Sequence, residues 1–187
     1  MAKNGHDEAT ALRRIIEITS LLNSTLNLDE LLQLIMSSAS ELLGAETSSL
    51  LLLDAEAGDL VIHVATGEAG QQVEQQRVPA GQGIAGWVLE KGETTVIDDP
   101  KKDDRFYKAM DEASGFETRN ILALPLKVRD KTIGVVEVIN KRDGSFDDQD
   151  QQLAGALANQ AAIAIDNARL YAKLADAVVT SRMSYRL

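Results

Sequence analysis

The sequence has no cysteine among its 187 residues. Disulfide bonds, thiol nucleophiles, thiolate zinc sites and thioether-linked chromophores are therefore excluded. Histidine is also scarce, because only His6 and His63 are present and His6 lies close to the N-terminus. A histidine-rich metal site cannot be built from these two, and we expect His63 to pack or to line a pocket. We expect no metal, heme or covalent chromophore.

Basic residues are too few to neutralise the acidic ones. Nineteen lysines and arginines stand against 29 aspartates and glutamates, which gives a net charge of −10. With no basic surplus to meet phosphates, the chain is not expected to bind nucleic acid or an anionic membrane nonspecifically.

Long apolar runs and common catalytic motifs are absent as well. No segment approaches the roughly 20 apolar residues of a membrane span, and residues 1–8 are too polar for a signal peptide, so we expect a cytoplasmic protein. There is no G-x-S-x-G, H-E-x-x-H or phosphate-loop lysine motif, and no acidic pair indicates catalysis. An enzyme is therefore not expected.

Helical spacing of apolar residues is clearest near the two ends of the chain. It predicts an amphipathic helix ending near Leu26 and a second helix that begins after Asn27 and ends at Gly44. A last helix begins after Ser145 and runs for about thirty residues, too long for one globular core. Its apolar seam, with Gln160 and Asn167 as polar members, should therefore pair with a second subunit; the seam comprises Leu153, Leu157, Ala164, Tyr171, Leu174 and Val178.

Between the helices the pattern predicts short strands. They lie at 48–53, 60–66, 77–78, 95–97, 120–129 and 132–141. The segment 98–118 is rich in charge and keeps no strand period, so we expect a loop with one short helix that could act as a lid.

The segment from Gly81 to Gly86 matches the G-x-G-x-x-G pattern of dinucleotide-binding proteins. The context does not fit, because Pro79-Ala80 precedes it where a buried strand is required. A glycine-rich helix start remains, in which the N–H groups of Ile84 and Ala85 would be free to attract a phosphate or a carboxylate. The alternative is that these glycines only allow a helix to pack closely on a sheet.

Glu137 is an acid in an otherwise apolar strand. The two-residue period places it on the same inward face as Ile133, Val135 and Ile139. A buried carboxylate is costly unless donors compensate it, so either Arg119 or Lys141 must pair with it or a ligand must supply the donors.

Two further segments, Asp104-Arg105-Phe106-Tyr107 and Ser114 to Leu122, resemble GAF domains. The subgroup that they resemble most is the GAF domains of cyclic-nucleotide phosphodiesterases and bacterial adenylyl cyclases. The similarity covers roughly Leu28 to Leu170. It implies an α+β fold, with a central antiparallel sheet and helices on both faces as in GAF and PAS domains. The expected organisation is an N-terminal dimerisation helix at 1–27, the sensor domain at 28–170 and a signalling-helix extension at 171–187.

The end of the domain also resembles the asparagine-lysine, phenylalanine, aspartate-glutamate signature of the cyclic-nucleotide-binding members. Its residues here are Asn140, Lys141, Phe146 and Asp150, and Gln151 stands in place of the final glutamate. In that family the signature braces the last strand and helix more than it touches the ligand.

The resemblance also implies a set of ligand-binding residues. The N–H groups of Ile84 and Ala85, with Tyr107, match positions that hold a cyclic phosphate. Hydroxyl positions near the ligand match Ser114 and Thr118, and an acidic position at the nucleotide matches Glu137. Positions that contact the base match Ser49 and His63, and the ligand is left open between cyclic AMP and cyclic GMP.

These observations predict a regulatory sensor module that binds a small molecule, dimerises through its terminal helices and signals to an output domain, such as a histidine kinase, cyclase, phosphatase or transcription activator. The alternative is a dimerisation or interaction module with a vestigial pocket. Some small GAF proteins reduce free methionine sulfoxide, but that chemistry needs cysteines, which this chain lacks.

Overall fold

The computed structural model describes residues 10–17 and 27–184, without the side chains of residues 69, 110, 113 and 178–184. The predicted end of the first helix near Leu26 lies outside the described residues, as do the side chain of Val178 and residues 185–187. Helix α1 covers residues 10–17. The other elements, in chain order, are α2 Leu28–Leu42, β1 Ala45–Leu53, β2 Leu60–Ala65, α3 Gly67–Val73, β3 Arg77–Val78, α4 Gly83–Lys91, β4 Thr95–Ile97, a 3-10 turn Pro100–Lys102, α5 Ala109–Ser114, β5 Ile121–Val128, β6 Lys131–Lys141 and α6 Asp148–Ser184.

The centre of the molecule is a six-stranded antiparallel sheet with the strand order β3-β2-β1-β6-β5-β4. Helices α2 and α6 cover one face over the larger apolar cluster. Helix α4 covers the other face over a smaller cluster, and α3 packs there against β1 and β2. The fold is therefore α+β with helices on both faces of the sheet, as predicted.

Local signals fix several of the helix ends. Asn27 caps α2, because its side-chain oxygen accepts a hydrogen bond from the N–H of Glu30 at 3.3 Å. Gly92 ends α4 in the left-handed conformation with φ 66°, which glycine adopts without a Cβ penalty. The start of α2 agrees with the prediction. Helix α3 was not predicted, and its glycines at 67 and 70 explain why, since glycine has low helix propensity.

Two β-bulges change which side chains share a face. Pairing shifts between Leu50 and Leu51 of β1, so that His63 is the extra residue on β2. It shifts again between Leu126 and Lys127 of β5, so that Ile133 is the extra residue on β6. Ile133 consequently packs in the cluster under α2 and α6, whereas Val135 packs in the opposite cluster. The prediction that Ile133 shares a face with Glu137 was wrong.

Helix α6 is 37 residues long and leaves the domain about halfway along. Leu157 and Ala164 are buried against the domain's own core, whereas Tyr171 and Leu174 are exposed. The predicted seam therefore divides between the domain core and the protruding half of the helix. Within the described residues, no helix is both long and apolar enough to cross a membrane.

Candidate functional site

A cavity of about 120 Å³ lies between the sheet and the helices α3, α4 and α5. Its walls come from β1, β2 and β6, from the first turn of α4 and from the segment 98–118. Seven of the eight predicted ligand-binding residues line it, namely Ser49, Ile84, Ala85, Tyr107, Ser114, Thr118 and Glu137. Residues far apart in the sequence thus meet at one cavity.

Glu137 is the chemically unusual group of the cavity. It lies in the centre of the sheet, beside Ser49 of β1 and Ala123 of β5, neither of which is charged. Its carboxylate lines the cavity, and burial raises the pKa of Glu137 to about 7. Within the described part of the chain no donor lies at hydrogen-bond distance from it. A carboxylate placed in this way binds a proton or the donor groups of a ligand.

Both side chains that could have paired with Glu137 are occupied elsewhere. Arg119 donates to the carboxylate of Glu46 at 2.5 Å. Lys141 pairs with Asp150 at the start of α6. Neither cation lines the cavity, so internal pairing does not account for the acid.

The first turn of α4 supplies hydrogen-bond donors to the cavity wall, whereas Glu137 supplies an acceptor. Gly83 has φ 72° at the start of this helix, and Ile84 and Ala85 follow it. The first hydrogen bond back along the chain is made by the N–H of Gly86, so the preceding N–H groups have no partner within the helix. None of the described lining residues is lysine, arginine or histidine. Any anion in the cavity would therefore depend on these N–H groups and on the positive end of the helix dipole.

The segment 98–118 closes the cavity on its outer side. The Cβ of Tyr107 would lie 3.0 Å from a Cβ added to Gly83, so a larger residue there would crowd Tyr107. At the other end of the segment, Asp111 accepts hydrogen bonds from the Thr118 N–H at 2.8 Å and from the Thr118 hydroxyl at 2.6 Å. Asp111 also lines the cavity, and the sequence reasoning missed it because an acid in a charged loop normally faces solvent.

His63 does not line the cavity, so of the two expected roles the structure leaves packing. It follows Ile62, which lines the cavity, so the alternation of β2 turns its side chain towards α2, where it lies 3.0 Å from the carboxylate of Asp29.

The signature residues tie the last strand to its surroundings. Asn140 has φ 61° and is fully buried, and its amide accepts from the N–H of Arg119 at 2.7 Å and donates to the carbonyl of Glu117 at 2.8 Å. Lys141 lies 5.8 Å from the Phe146 ring centre, in addition to its pair with Asp150. These contacts hold the end of segment 98–118 beside the start of α6.

The only tryptophan of the chain reports on this segment. Arg105 lies 4.6 Å from the ring centre of Trp87 on α4 and is bound by both oxygens of Asp103. We expect Arg105→Ala to shift Trp87 fluorescence to longer wavelength, because water replaces the guanidinium over the ring, and to cost about 1 kcal/mol of stability or less. Lys102→Ala, which removes an exposed cation from the same segment, is the control. Equal spectra for the two variants would show that Arg105 does not cover the indole in solution.

The fold is an α+β domain with a cavity between the sheet and its covering helices. The GAF domain model matches residues 27–165. The chain belongs to the GAF domain family.

Sequence relatives include cyclic phosphodiesterases. The chain is 30% identical over 179 residues to a probable 3′,5′-cyclic phosphodiesterase of Caenorhabditis elegans, across 90% of this chain and 24% of that protein. It is 31% identical over 174 residues to a dual 3′,5′-cyclic-AMP and -GMP phosphodiesterase of Drosophila melanogaster, across 85% of this chain and 12% of the relative. The chain thus spans a quarter or less of these relatives.

A similar solved structure is the GAF domain of a phosphoenolpyruvate-protein phosphotransferase from Coxiella burnetii. It superposes with a TM-score of 0.78 at 24% identity, over 87% of this chain and 96% of that one. A similarity at this level of identity shows the fold alone.

Proposed function

We propose that this domain is a regulatory sensor whose ligand is a cyclic nucleotide. The observation that carries the proposal is the Glu137 carboxylate, which faces the cavity with no donor from the described residues. The free N–H groups of α4 line the same cavity, so one ligand could present an anion to one wall and hydrogen-bond donors to the other. The names of the phosphodiesterase relatives support a cyclic nucleotide as that ligand.

In this proposal each end of the nucleotide has its own partners. The N–H groups of Ile84 and Ala85, with Tyr107, hold the cyclic phosphate. Glu137 accepts hydrogen bonds from base or ribose donors, and Ser49 contacts the base. Ser114 and Thr118 contribute hydroxyl groups from the closing segment. His63, which lies outside the cavity, has no part in binding.

The closing segment would have to move for a nucleotide to enter. The cavity of about 120 Å³ is smaller than the roughly 300–1,000 Å³ of typical small-molecule sites. Displacement of segment 98–118 would enlarge it on the outer side, while the hydrogen bonds from Thr118 to Asp111 keep the segment itself folded. Ligand binding then shifts the population between two positions of this segment, by as much as the ligand's affinities for them differ.

The output of the sensor would pass through the terminal helices. Exposed apolar side chains on α1 and α6 favour a homodimer, which in this proposal is cytoplasmic and signals to a downstream domain; they are Leu12, Ile16, Ile163, Leu170, Tyr171 and Leu174.

Titration calorimetry with cyclic AMP and with cyclic GMP tests the proposal, together with unfolding in each ligand. Saturable heat from one nucleotide is expected, and at one hundred times its dissociation constant that nucleotide should add about 2.7 kcal/mol of stability. Glu137→Gln should lose this binding while keeping the fold, because the neutral amide presents donors as well as an acceptor. Absence of heat and of stabilisation with both nucleotides would overturn the assignment.

The alternative function is a dimerisation or interaction module with a vestigial pocket. It is favoured by the small cavity and by Thr118, whose N–H and hydroxyl are both engaged by Asp111. A dimer that binds neither nucleotide would support this alternative.

A further inference from the structure

The carboxyl group of Glu137 lines the cavity without a partner from the described residues. None of them donates a hydrogen bond to either of its oxygens, and none of those that line the cavity is lysine, arginine or histidine. Its direct neighbours across the sheet, Ser49 and Ala123, are uncharged. Without a cation or a fixed donor nearby, burial favours the neutral, protonated acid over the carboxylate. The pKa of Glu137 accordingly rises from 4.5 to about 7.

The other elements around Glu137 bring few ionisable groups to the cavity. Among the described residues, those that line it from β1, β2, β3, β5, α3 and α4 carry no ionisable side chain. Segment 98–118 contributes two, Tyr107 and Asp111. Both oxygens of Asp111 already accept hydrogen bonds from Thr118, at 2.8 Å from its backbone nitrogen and 2.6 Å from its Oγ1. Of the acids in the described lining, Glu137 is therefore the one whose oxygens are open to a ligand.

A proton and a ligand compete for these two oxygens. An ionised carboxylate only accepts hydrogen bonds, whereas a protonated carboxyl group carries an O–H donor on one oxygen. A ligand that donates to both oxygens thus meets a proton where it needs an acceptor, and once bound it favours the ionised form. The hydrogen bonds that replace the proton are charge-assisted and therefore stronger than those to a neutral group. Ligand binding and proton binding consequently exclude each other at Glu137.

We infer that the nucleotide expels the proton of Glu137 when it binds, so that the sensor responds to pH as well as to its ligand. The inference rests on the proposed function, in which Glu137 accepts hydrogen bonds from the nucleotide, and it adds the regulation of that site. At pH 6 the ligand must displace a proton, whereas at pH 8 the carboxylate is already ionised. The affinity should therefore rise about tenfold from pH 6 to pH 8 and change little at higher pH.

Titration calorimetry in pairs of buffers that differ in their heat of ionisation counts the released protons. The protein is titrated with cyclic AMP and with cyclic GMP at pH 6 in cacodylate and in imidazole, and at pH 8 in HEPES and in Tris. Neither the cyclic phosphate nor the two bases change protonation between these pH values, so a released proton comes from the protein. We expect about one proton per site at pH 6 and about 0.1 at pH 8. Nucleotide binding without this difference would overturn the inference and leave the ligand assignment intact.

Infrared spectroscopy assigns the proton to its residue. At pH 6 the carbonyl band of a protonated carboxylic acid should be present without ligand and should disappear when nucleotide is added. The band should be missing from Glu137→Gln at the same pH and present in Glu112→Gln, which replaces an exposed acid of α5. A band that persists in Glu137→Gln would place the proton on another acid and overturn the inference. Absence of binding heat with both nucleotides would instead overturn the ligand assignment, and the inference with it.

Discussion

At pH 8 the variant Glu137→Gln should be more stable than the unchanged protein, by roughly 3 kcal/mol. Burial raises the pKa of Glu137 from 4.5 to about 7, so between these values the folded protein keeps a proton that the unfolded chain has released. The free energy of unfolding therefore falls as pH rises through this window, and the whole penalty is present above pH 7. Because a neutral glutamine avoids it, the variant gains roughly 3 kcal/mol at pH 8 and close to none at pH 4.

Urea unfolding of both proteins at pH 4, 6 and 8 measures this difference. Taking the difference between variant and parent cancels the titration of all other groups, which the two proteins share. Glu112→Gln, on the exposed surface of α5, is the matched control and should change stability by less than about 0.5 kcal/mol at every pH. A pH-independent difference for Glu137→Gln would mean that the carboxylate has a partner in solution, and the argument for a ligand donor would then fail.

Glu137 could be singled out from the sequence because the pattern that marks it, an acid within an apolar strand, spans only a few residues. An acid within an alternating apolar strand is unusual whatever the rest of the fold does, and its two-residue period placed it correctly beside Val135 and Ile139. The helix start at Ile84 could be found for the same reason, since glycine clusters and caps act over a few residues.

What the sequence could not provide depends on contacts between distant segments. A β-bulge adds one residue without disturbing the apparent period, and so the face of Ile133 was assigned wrongly. The role of Asp111 arises only when the segment folds back and brings Thr118 to its carboxylate. Helix α3 was missed because Gly70, a poor helix former, is required there: a Cβ would lie 2.7 Å from the Ala65 backbone.

Gly134→Ala should destabilise the protein by at least about 3 kcal/mol. A Cβ at this position would lie 2.2 Å from the carbonyl oxygen of Leu51, on the neighbouring central strand β1. Backbone cannot rotate away as a side chain can, so the overlap is relieved only by separating β1 from β6 near the bulge. Denaturant unfolding measures the loss, and a cost below about 1 kcal/mol would show that the two strands can separate there without cooperative disruption.

Gly155→Ala distinguishes this steric effect from a general cost of replacing glycine. Gly155 lies within α6 and an added Cβ meets nothing within 4 Å, so alanine should stabilise the helix by about 0.5–1 kcal/mol. The contrast also bears on binding, because Ser49 and Glu137 pair across the same two strands, three residues beyond Gly134. If β1 and β6 part at Gly134, the Glu137 carboxylate moves relative to the first turn of α4. A Gly134→Ala protein that still folds should therefore bind nucleotide more weakly, whereas Gly155→Ala should bind as the parent does.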